Sequence, residues 1–127
     1  MQEKIVFEYA VIRVVPRVER EEFINIGVIV FCKRLKYLHA LFHVDKDRLR
    51  AFAPELDISE VEAHLASFQR ICCATKEGGP IAKLDHPSRF RWLTALRSTV
   101  VQTSRVHPGL CLDPAETLAS LHRSLVL

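Results

Sequence analysis

The stretch KIVFEYAVIRVVPRVEREEFINIGVIVF, residues 4–31, decides the fold because it holds two apolar runs separated by a short charged segment. The first run, residues 4–15, is rich in β-branched and aromatic residues and is apolar at both alternating sets of positions. This pattern is typical of a strand covered on both faces. The second run, residues 23–31, has the same character. The stretch therefore predicts two adjacent strands, of which the first is central in its sheet.

A third strand is predicted immediately downstream, over residues 37–44 with the sequence YLHALFHV. Its side chains fall into two alternating sets, and the set at positions 38, 40, 42 and 44 is wholly apolar. Alternation of this kind indicates a strand with one buried face. The three strands together predict an antiparallel meander at the N-terminal end of the chain.

The apolar pattern then changes to the period of a helix. A short helix through residue 52 is predicted, with Asp45 or Asp47 as its cap. A longer amphipathic helix begins near Asp57 or Ser59 and runs to residue 73, and Ser59 with Glu62 has the spacing of a capping box. These helices carry apolar stripes that the sheet would bury.

The C-terminal third predicts two more helices and one more strand. Pro87 fits the first turn of a short helix that ends near Arg97, and residues 98–104, STVVQTS, form a candidate fourth strand. Asp113 is the expected cap of the last helix and Pro114 its first residue. The fold class is α+β: an antiparallel sheet of three to four strands with helices packed against it.

Length and composition limit the classes of protein to which the chain can belong. Its 127 residues fit a single domain, residues 1–127, with an ordinary balance of 49% hydrophobic and 26% charged residues. The net charge of +3 is too small to indicate a nucleic-acid-binding arm. Residues 83–105 are basic, but their rings, Phe90 and Trp92, are needed by the core, so nucleic-acid binding is not expected.

Cysteine spacing and the N-terminal residues predict a cytoplasmic location. The cysteines at positions 32, 72, 73 and 111 form no CxxC pair, so reduced thiols are expected, and neither a metal site nor a cofactor is predicted. Charged residues interrupt the first apolar run at Glu8 and Arg13, which argues against a signal peptide and a membrane span.

Arg13 is a cation within a strand that is predicted to be buried on both faces. A guanidinium cannot lose its charge, so it needs a carboxylate or an anionic ligand nearby. One hairpin register places Glu22 opposite Arg13, and a register one residue longer places Phe23 there, with Glu21 and Asn25 as diagonal neighbours. The pair either fixes the register of the hairpin or forms part of a binding site.

Asn25 and Gly27 interrupt the second apolar run and allow two interpretations. They predict either a β-bulge, where glycine adopts an unusual backbone angle, or a position at which a ligand or another backbone comes close.

A row of hydroxyl and amide side chains follows Arg97. In a strand, Ser98, Gln102 and Ser104 would share one face, flanked by Arg97 and Arg105. Guanidinium and hydroxyl donors suit a phosphate or a carboxylate, although an ordinary edge strand exposed to solvent has the same composition.

The chain resembles the bacterial family of the domain of unknown function 3037. The residues that carry the resemblance are Tyr9, Arg13 and Pro16, followed by the pattern Arg20-x-Glu22-x-x-Asn25-x-Gly27-Val28, with weaker similarity from Arg97-Ser98 to Ser104. The turn departs from the family pattern by its additional charges at Arg17, Glu19 and Glu21. Members are often encoded beside a HipA-like kinase, and the resemblance therefore implies a HipA-like kinase as a partner.

The preferred hypothesis is a small cytoplasmic protein that acts by binding or regulating a partner. Its polar cluster would consist of Arg13, Arg20, Glu22 and Asn25 at one end of the sheet. The residues do not determine the oligomeric state.

The alternative hypothesis is an enzyme that acts on a phosphorylated or nucleotide substrate. Glu22 would be the general base, Arg20 and Arg97 would hold the anion together with Ser98 and Gln102, and His107 would be the acid. These roles require Glu22, Arg97, Gln102 and His107 to meet in one concave pocket.

Overall fold

The computed structural model describes residues 3–97 and 99–127, which form a five-stranded antiparallel sheet and four α-helices. The strands are β1 (Ile5–Val14), β2 (Ile24–Cys32), β3 (Tyr37–Phe42), β4 (Val101–Thr103) and β5 (His107–Cys111). The helices are α1 (Lys46–Phe52), α2 (Ile58–Cys72), α3 (His86–Leu93) and α4 (Pro114–Leu125). The α+β class and the N-terminal meander are confirmed, and the sheet has five strands where three to four were predicted.

Strand β1 is central because both of its edges are paired. One edge pairs with β2, which in turn pairs with β3. The other edge is shared: Ile12–Val14 pair with β4, and Ile5–Tyr9 pair with β5. Ser104 fills the gap between these two short strands, since its amide donates to the carbonyl oxygen of Val11 at 2.8 Å and its hydroxyl oxygen accepts from the Val11 amide at 2.9 Å. The hydrogen bonds along this edge of β1 are therefore nearly continuous.

Helices cover both faces of the sheet, which explains why β1 and β2 are apolar at both alternating sets of positions. On one face, buried side chains of α1, α2 and α3 pack against buried side chains of the strands, and the resulting core includes Ile12, Ile29, Val61, Phe68 and Phe90. On the other face α4 packs on β2 and β3. That second core includes Phe7, Val28, Val30, Leu118 and Val126.

Aspartate side chains cap the N-termini of all four α-helices. Asp45 caps α1 and Asp113 caps α4, as the sequence predicts. Asp57 caps α2 by accepting a hydrogen bond from the Glu60 amide at 3.3 Å. Ser59 lies inside the first turn, so the prediction of a capping box at Ser59 is wrong.

The third helix is shorter than predicted. Its cap is Asp85, and it ends at Leu93 instead of near Arg97. The Thr94 hydroxyl donates to the carbonyl oxygen of Phe90 at 2.8 Å, within the last turn, and the chain leaves the helix there. Arg97 is consequently a loop residue.

Arg89 of α3 is buried, with 5% of its surface exposed, and contacts the C-terminal end of α2. Its Nη1 donates to the carbonyl oxygens of Ile71 at 3.3 Å and Cys72 at 2.9 Å. Carbonyl groups at a helix C-terminus lack partners within the helix and carry partial negative charge, so they stabilise the cation. No helix of the described residues is both long and apolar enough to cross a membrane.

Candidate functional site

A β-bulge sets the surroundings of Arg13. Strand β2 has one extra residue, Ile26, because Ile12 pairs with Gly27 while Arg13 pairs with Asn25. The guanidinium carbon of Arg13 lies 4.2 Å from the centre of the Phe23 ring, and no carboxylate of the described residues forms an ion pair with it. The expected acidic partner is therefore wrong. Arg13 is only half-buried, so solvent and the face of an aromatic ring replace a counter-ion.

Asn25 connects β2 to the end of α4. Its Nδ2 donates to the carbonyl oxygen of Leu125 at 3.1 Å, and its Oδ1 is buried without a partner among the described residues. On the other side of Arg13, the strand register places Gln102. Asn25, Arg13 and Gln102 thus form one row across β2, β1 and β4.

Both interpretations of Asn25 and Gly27 hold in part. The bulge lies between them, at Ile26. A Cβ atom on Gly27 would lie 2.6 Å from the carbonyl oxygen of Leu41 and 2.7 Å from a carbon of the Phe42 ring. Glycine is thus needed because β3 comes close to β2 at this position, which leaves no room for a ligand.

The charged turn forms ion pairs within its own surroundings. Arg20 contacts Glu22 at 2.9 Å, and Arg17 contacts Glu55, just beyond α1, at 3.6 Å. All four side chains are exposed, and pairs of this kind contribute little to stability. They border a cavity of about 230 Å³, here called the turn cavity, between the turn and residues 52–55.

The predicted donors that follow α3 lie around a second cavity. Arg97 donates to the carbonyl oxygen of Trp92, and its guanidinium carbon lies 4.9 Å from the centre of that ring. The Nε2 of Gln102 donates to the carbonyl oxygen of Thr99 at 2.8 Å. Arg97 and Gln102 both line a cavity of about 220 Å³ between α2, the end of α3 and β4, here called the α2–β4 cavity. Ser98 lies outside the described residues.

The predicted catalytic residues are distributed over different parts of the molecule. Glu22 lines the turn cavity, whereas Arg97 and Gln102 line the α2–β4 cavity. His107 pairs with Tyr9 across β5 and β1, and the centres of the two rings are 5.3 Å apart. The structure therefore brings Arg20 to Glu22 and Arg97 to Gln102, but it does not bring the four residues of the enzyme hypothesis into one cavity.

A surface that sequence reasoning missed lies at the opposite end of β1. Val6 and Leu110 are paired in register and are 61% and 62% exposed, on the face that α2 and α3 cover elsewhere. A groove of about 590 Å³ runs beside Val6, and three basic side chains line it, at Lys4, Lys33 and Arg34. We call these five residues the β1–β5 patch. Exposed apolar residues grouped beside charged ones are typical of interaction surfaces.

The sequence contains only part of the information that would predict this patch. Val6 belongs to the first apolar run, but its partner in the patch, Leu110, lies in β5, a strand that the sequence did not predict. Lys33 and Arg34 lie in the connection between the second and third predicted strands, where charged residues are ordinary.

Burial disfavours nucleophilic chemistry at two of the cysteines, Cys72 and Cys111. Burial raises the pKa of Cys72 to about 12, and it also raises the pKa of Cys111, with the nearby Cys32 adding to the shift. A thiol must lose its proton to react, so a raised pKa disfavours the reactive form of both groups. Within residues 3–97 and 99–127, no cluster of three or more histidine, cysteine or acidic side chains could hold a metal ion.

Sequence comparison identifies the family. The model of the family described as "Protein of unknown function (DUF3037)" matches residues 9–126. The chain belongs to this family. The match spans nearly the whole fold, from the middle of β1 to the end of α4. Neither a search of curated proteins nor a search of solved structures found a match.

Proposed function

We propose that this member of the DUF3037 family binds a protein partner through the β1–β5 patch. The observation that carries the proposal is the pair Val6 and Leu110, two apolar side chains in register that are each more than three-fifths exposed. Leaving such a pair in water forgoes roughly 1–3 kcal/mol per side chain that burial against a partner would supply. An apolar centre with a charged rim is also the usual anatomy of a protein interface.

The rim indicates the chemistry of the partner. Lys4, Lys33 and Arg34 line the groove, and Glu8 is the one acidic residue among the described residues that line it. The excess of positive charge favours a partner segment that presents apolar side chains flanked by aspartate or glutamate. A HipA-like kinase is the partner that the family resemblance implies. Four free cysteines support the proposal that the complex forms in the reducing cytoplasm.

The predicted polar cluster has a supporting role in this proposal. Arg13 is stacked on the half-exposed Phe23, and arginine and aromatic side chains are enriched among the residues that dominate interface energies. Arg20 and Glu22 lie in the adjacent turn. Their assignment to ligand binding stays a prediction.

The experiment is a titration of the purified chain with a purified HipA-like kinase from the same organism, in which isothermal titration calorimetry measures the affinity. The double variant Val6→Thr with Leu110→Thr places a β-branched side chain, which suits a strand, at both positions and removes apolar surface, so we expect a loss of affinity of at least about tenfold. The variant Lys33→Glu should weaken binding and reduce its dependence on salt. Leu96→Thr is the matched control, because Leu96 is 87% exposed and lies away from the patch.

Unchanged affinity in the double variant would refute the patch as the docking surface, and a loss in the Leu96 control of the same size would do so as well. Sedimentation of the chain alone tests for a second copy on the same surface. If the chain alone forms a dimer and the double variant is monomeric, the partner at the patch is a second copy of the chain and not the kinase. Turnover of a phosphorylated substrate that Glu22→Gln abolishes without loss of folding would instead support the alternative hypothesis of an enzyme.

A further inference from the structure

The α2–β4 cavity combines an apolar floor with a polar rim. Phe68, Ile71 and Leu93 are buried at its base. Its polar lining comes from two segments of the chain, α2 and residues 97–103, and consists of His64, Ser67, Arg97, Thr99, Gln102 and Thr103. Concave apolar sites with a few polar groups are the usual form of small-molecule sites.

Arg97 supplies a cation that is held in position at this cavity. Its guanidinium donates to the carbonyl oxygen of Trp92 and lies over the indole ring, so both a hydrogen bond and a cation–π contact fix it. No carboxylate of the described residues forms an ion pair with Arg97, whereas the cavity residue His64 contacts the carboxylate of Glu60 at 3.9 Å. Among the residues that the structure describes, the guanidinium of Arg97 therefore has no carboxylate as a direct partner.

The volume limits the size of a ligand. The cavity has about 220 Å³, and a cavity of about 150 Å³ is known to accommodate benzene. It therefore has room for one ring, or a branched aliphatic group of the same size, together with one carboxylate or phosphate. Such a group matches the planar donors of a guanidinium and the hydroxyl groups of the rim.

We propose that the α2–β4 cavity binds a small organic anion, with its apolar part on Phe68 and Leu93 and its carboxylate or phosphate on Arg97. The site is separate from the β1–β5 patch, and the inference does not rest on the proposed protein partner. Because the guanidinium is already immobilised, less conformational entropy is lost on binding than for a free surface arginine.

Trp92 allows a direct test, since it is the one tryptophan of the chain and lines the cavity. The full chain is titrated with benzoate, phenyl phosphate, benzyl alcohol and inorganic phosphate, with emission from Trp92 and NMR amide shifts as readouts. We expect saturable binding of benzoate, phenyl phosphate or both. Benzyl alcohol, which lacks the anionic group, and inorganic phosphate, which lacks the ring, should each bind at least about tenfold more weakly. The stronger of the two anions identifies the charged group as a carboxylate or a phosphate monoester.

Three variants separate the cation from the cavity. Arg97→Gln should weaken binding of the anions at least about tenfold, and Ser67→Phe, which fills the cavity from an exposed position of α2, should abolish it. Arg91→Gln is the control, because Arg91 is an exposed arginine of α3 that does not line the cavity. Circular dichroism verifies that each variant is folded.

Two results would overturn the proposal: binding of benzoate and phenyl phosphate that is the same in Arg97→Gln as in the unchanged chain, or binding of benzyl alcohol as tight as that of benzoate. The patch variant Val6→Thr with Leu110→Thr should bind the anions normally. Failure of the kinase titration and failure of the anion titration are therefore distinguishable.

Discussion

Replacing Arg89 by methionine tests whether the C-terminus of α2 depends on a buried cation. Methionine keeps the apolar stem in the core and removes the guanidinium. The carbonyl oxygens of Ile71 and Cys72 then lose the donor that contacts them at 3.3 and 2.9 Å. Both residues are buried, so water cannot readily replace that donor.

The magnitude follows from opposing terms. A hydrogen bond from a charged donor contributes about 1.5–3 kcal/mol, and the longer contact to Ile71 counts for roughly half of that, so the gross loss is about 2–4.5 kcal/mol, with its midpoint at about 3.5 kcal/mol. The variant also no longer buries a guanidinium, whose Nε has no partner among the described residues, and this relief of the desolvation cost stabilises the folded state by roughly 1 kcal/mol. We expect the free energy of unfolding to fall by about 2–3 kcal/mol, which corresponds to a decrease in Tm of roughly 10 °C for a chain of this size.

The assay is urea unfolding of the Arg89→Met variant, followed by circular dichroism and by Trp92 emission. Arg91→Met is the matched control, since Arg91 lies on the same helix and is exposed, and its effect should stay within about 0.5 kcal/mol. An Arg89→Met variant as stable as the unchanged chain, or more stable, would refute the reasoning. It would mean that the cost of burying the guanidinium exceeds the value of its hydrogen bonds.

The remaining predictions concern a glycine, a histidine and a helix cap. Gly27→Ala should lower the free energy of unfolding by about 1–3 kcal/mol in the same urea assay, because the new Cβ would lie 2.6 Å from the Leu41 carbonyl oxygen. An unchanged free energy of unfolding would show that β2 and β3 can move apart enough to admit the methyl group. Burial, with a smaller contribution from a nearby histidine, lowers the pKa of His122 below its ordinary 6.5. The contribution of His122 to stability is therefore complete above pH 6.5 and is lost as the pH decreases through this value towards the folded-state pKa. Between about pH 8 and about pH 5, the free energy of unfolding in urea should decrease less for His122→Gln than for the unchanged chain, and equal decreases would contradict the assignment. Asp57→Ala should lower the free energy of unfolding by about 1 kcal/mol and Ser59→Ala by less than about 0.5 kcal/mol, and the reverse order would restore Ser59 as the cap.

Elements with strong local signals could be predicted from the sequence. The β1–β2 hairpin follows from two apolar runs, and α4 follows from Asp113 and Pro114 at its start. In both cases the residues that fix the element lie within it or next to it, so no knowledge of distant parts of the chain is needed.

Elements that depend on distant contacts could not be predicted. Strand β5 contains Pro108 and Gly109, which locally favour a turn. The structure shows why glycine suits this strand: a Cβ atom on Gly109 would lie 2.6 Å from the ring of Phe7, which is about a hundred residues away in the chain. The connection between β1 and β2 spans residues 15–23 and is longer than the predicted turn, so Arg13 pairs with Asn25, three positions beyond Glu22.

The candidate site was harder to predict than the fold. An apolar run shows that a strand is buried somewhere on both faces, but it does not show where the covering helices end. Val6 remains exposed because the helices above Ile12 and Phe31 do not reach it. Arg97 and Gln102 were identified by residue type, whereas their cavity is formed with His64 and Phe68 of α2, which the sequence does not bring near them.

The shared edge of β1 has a consequence for synthesis of the chain. Val11 and Ser104, which bridge β4 and β5, are 93 positions apart, so a ribosome completes the first strand long before its outer neighbours emerge. Until then the nascent meander presents an unprotected row of amide and carbonyl groups to which another chain can add. We expect the yield of native protein to depend on how quickly the C-terminal third follows, and pauses in translation within that third should increase aggregation.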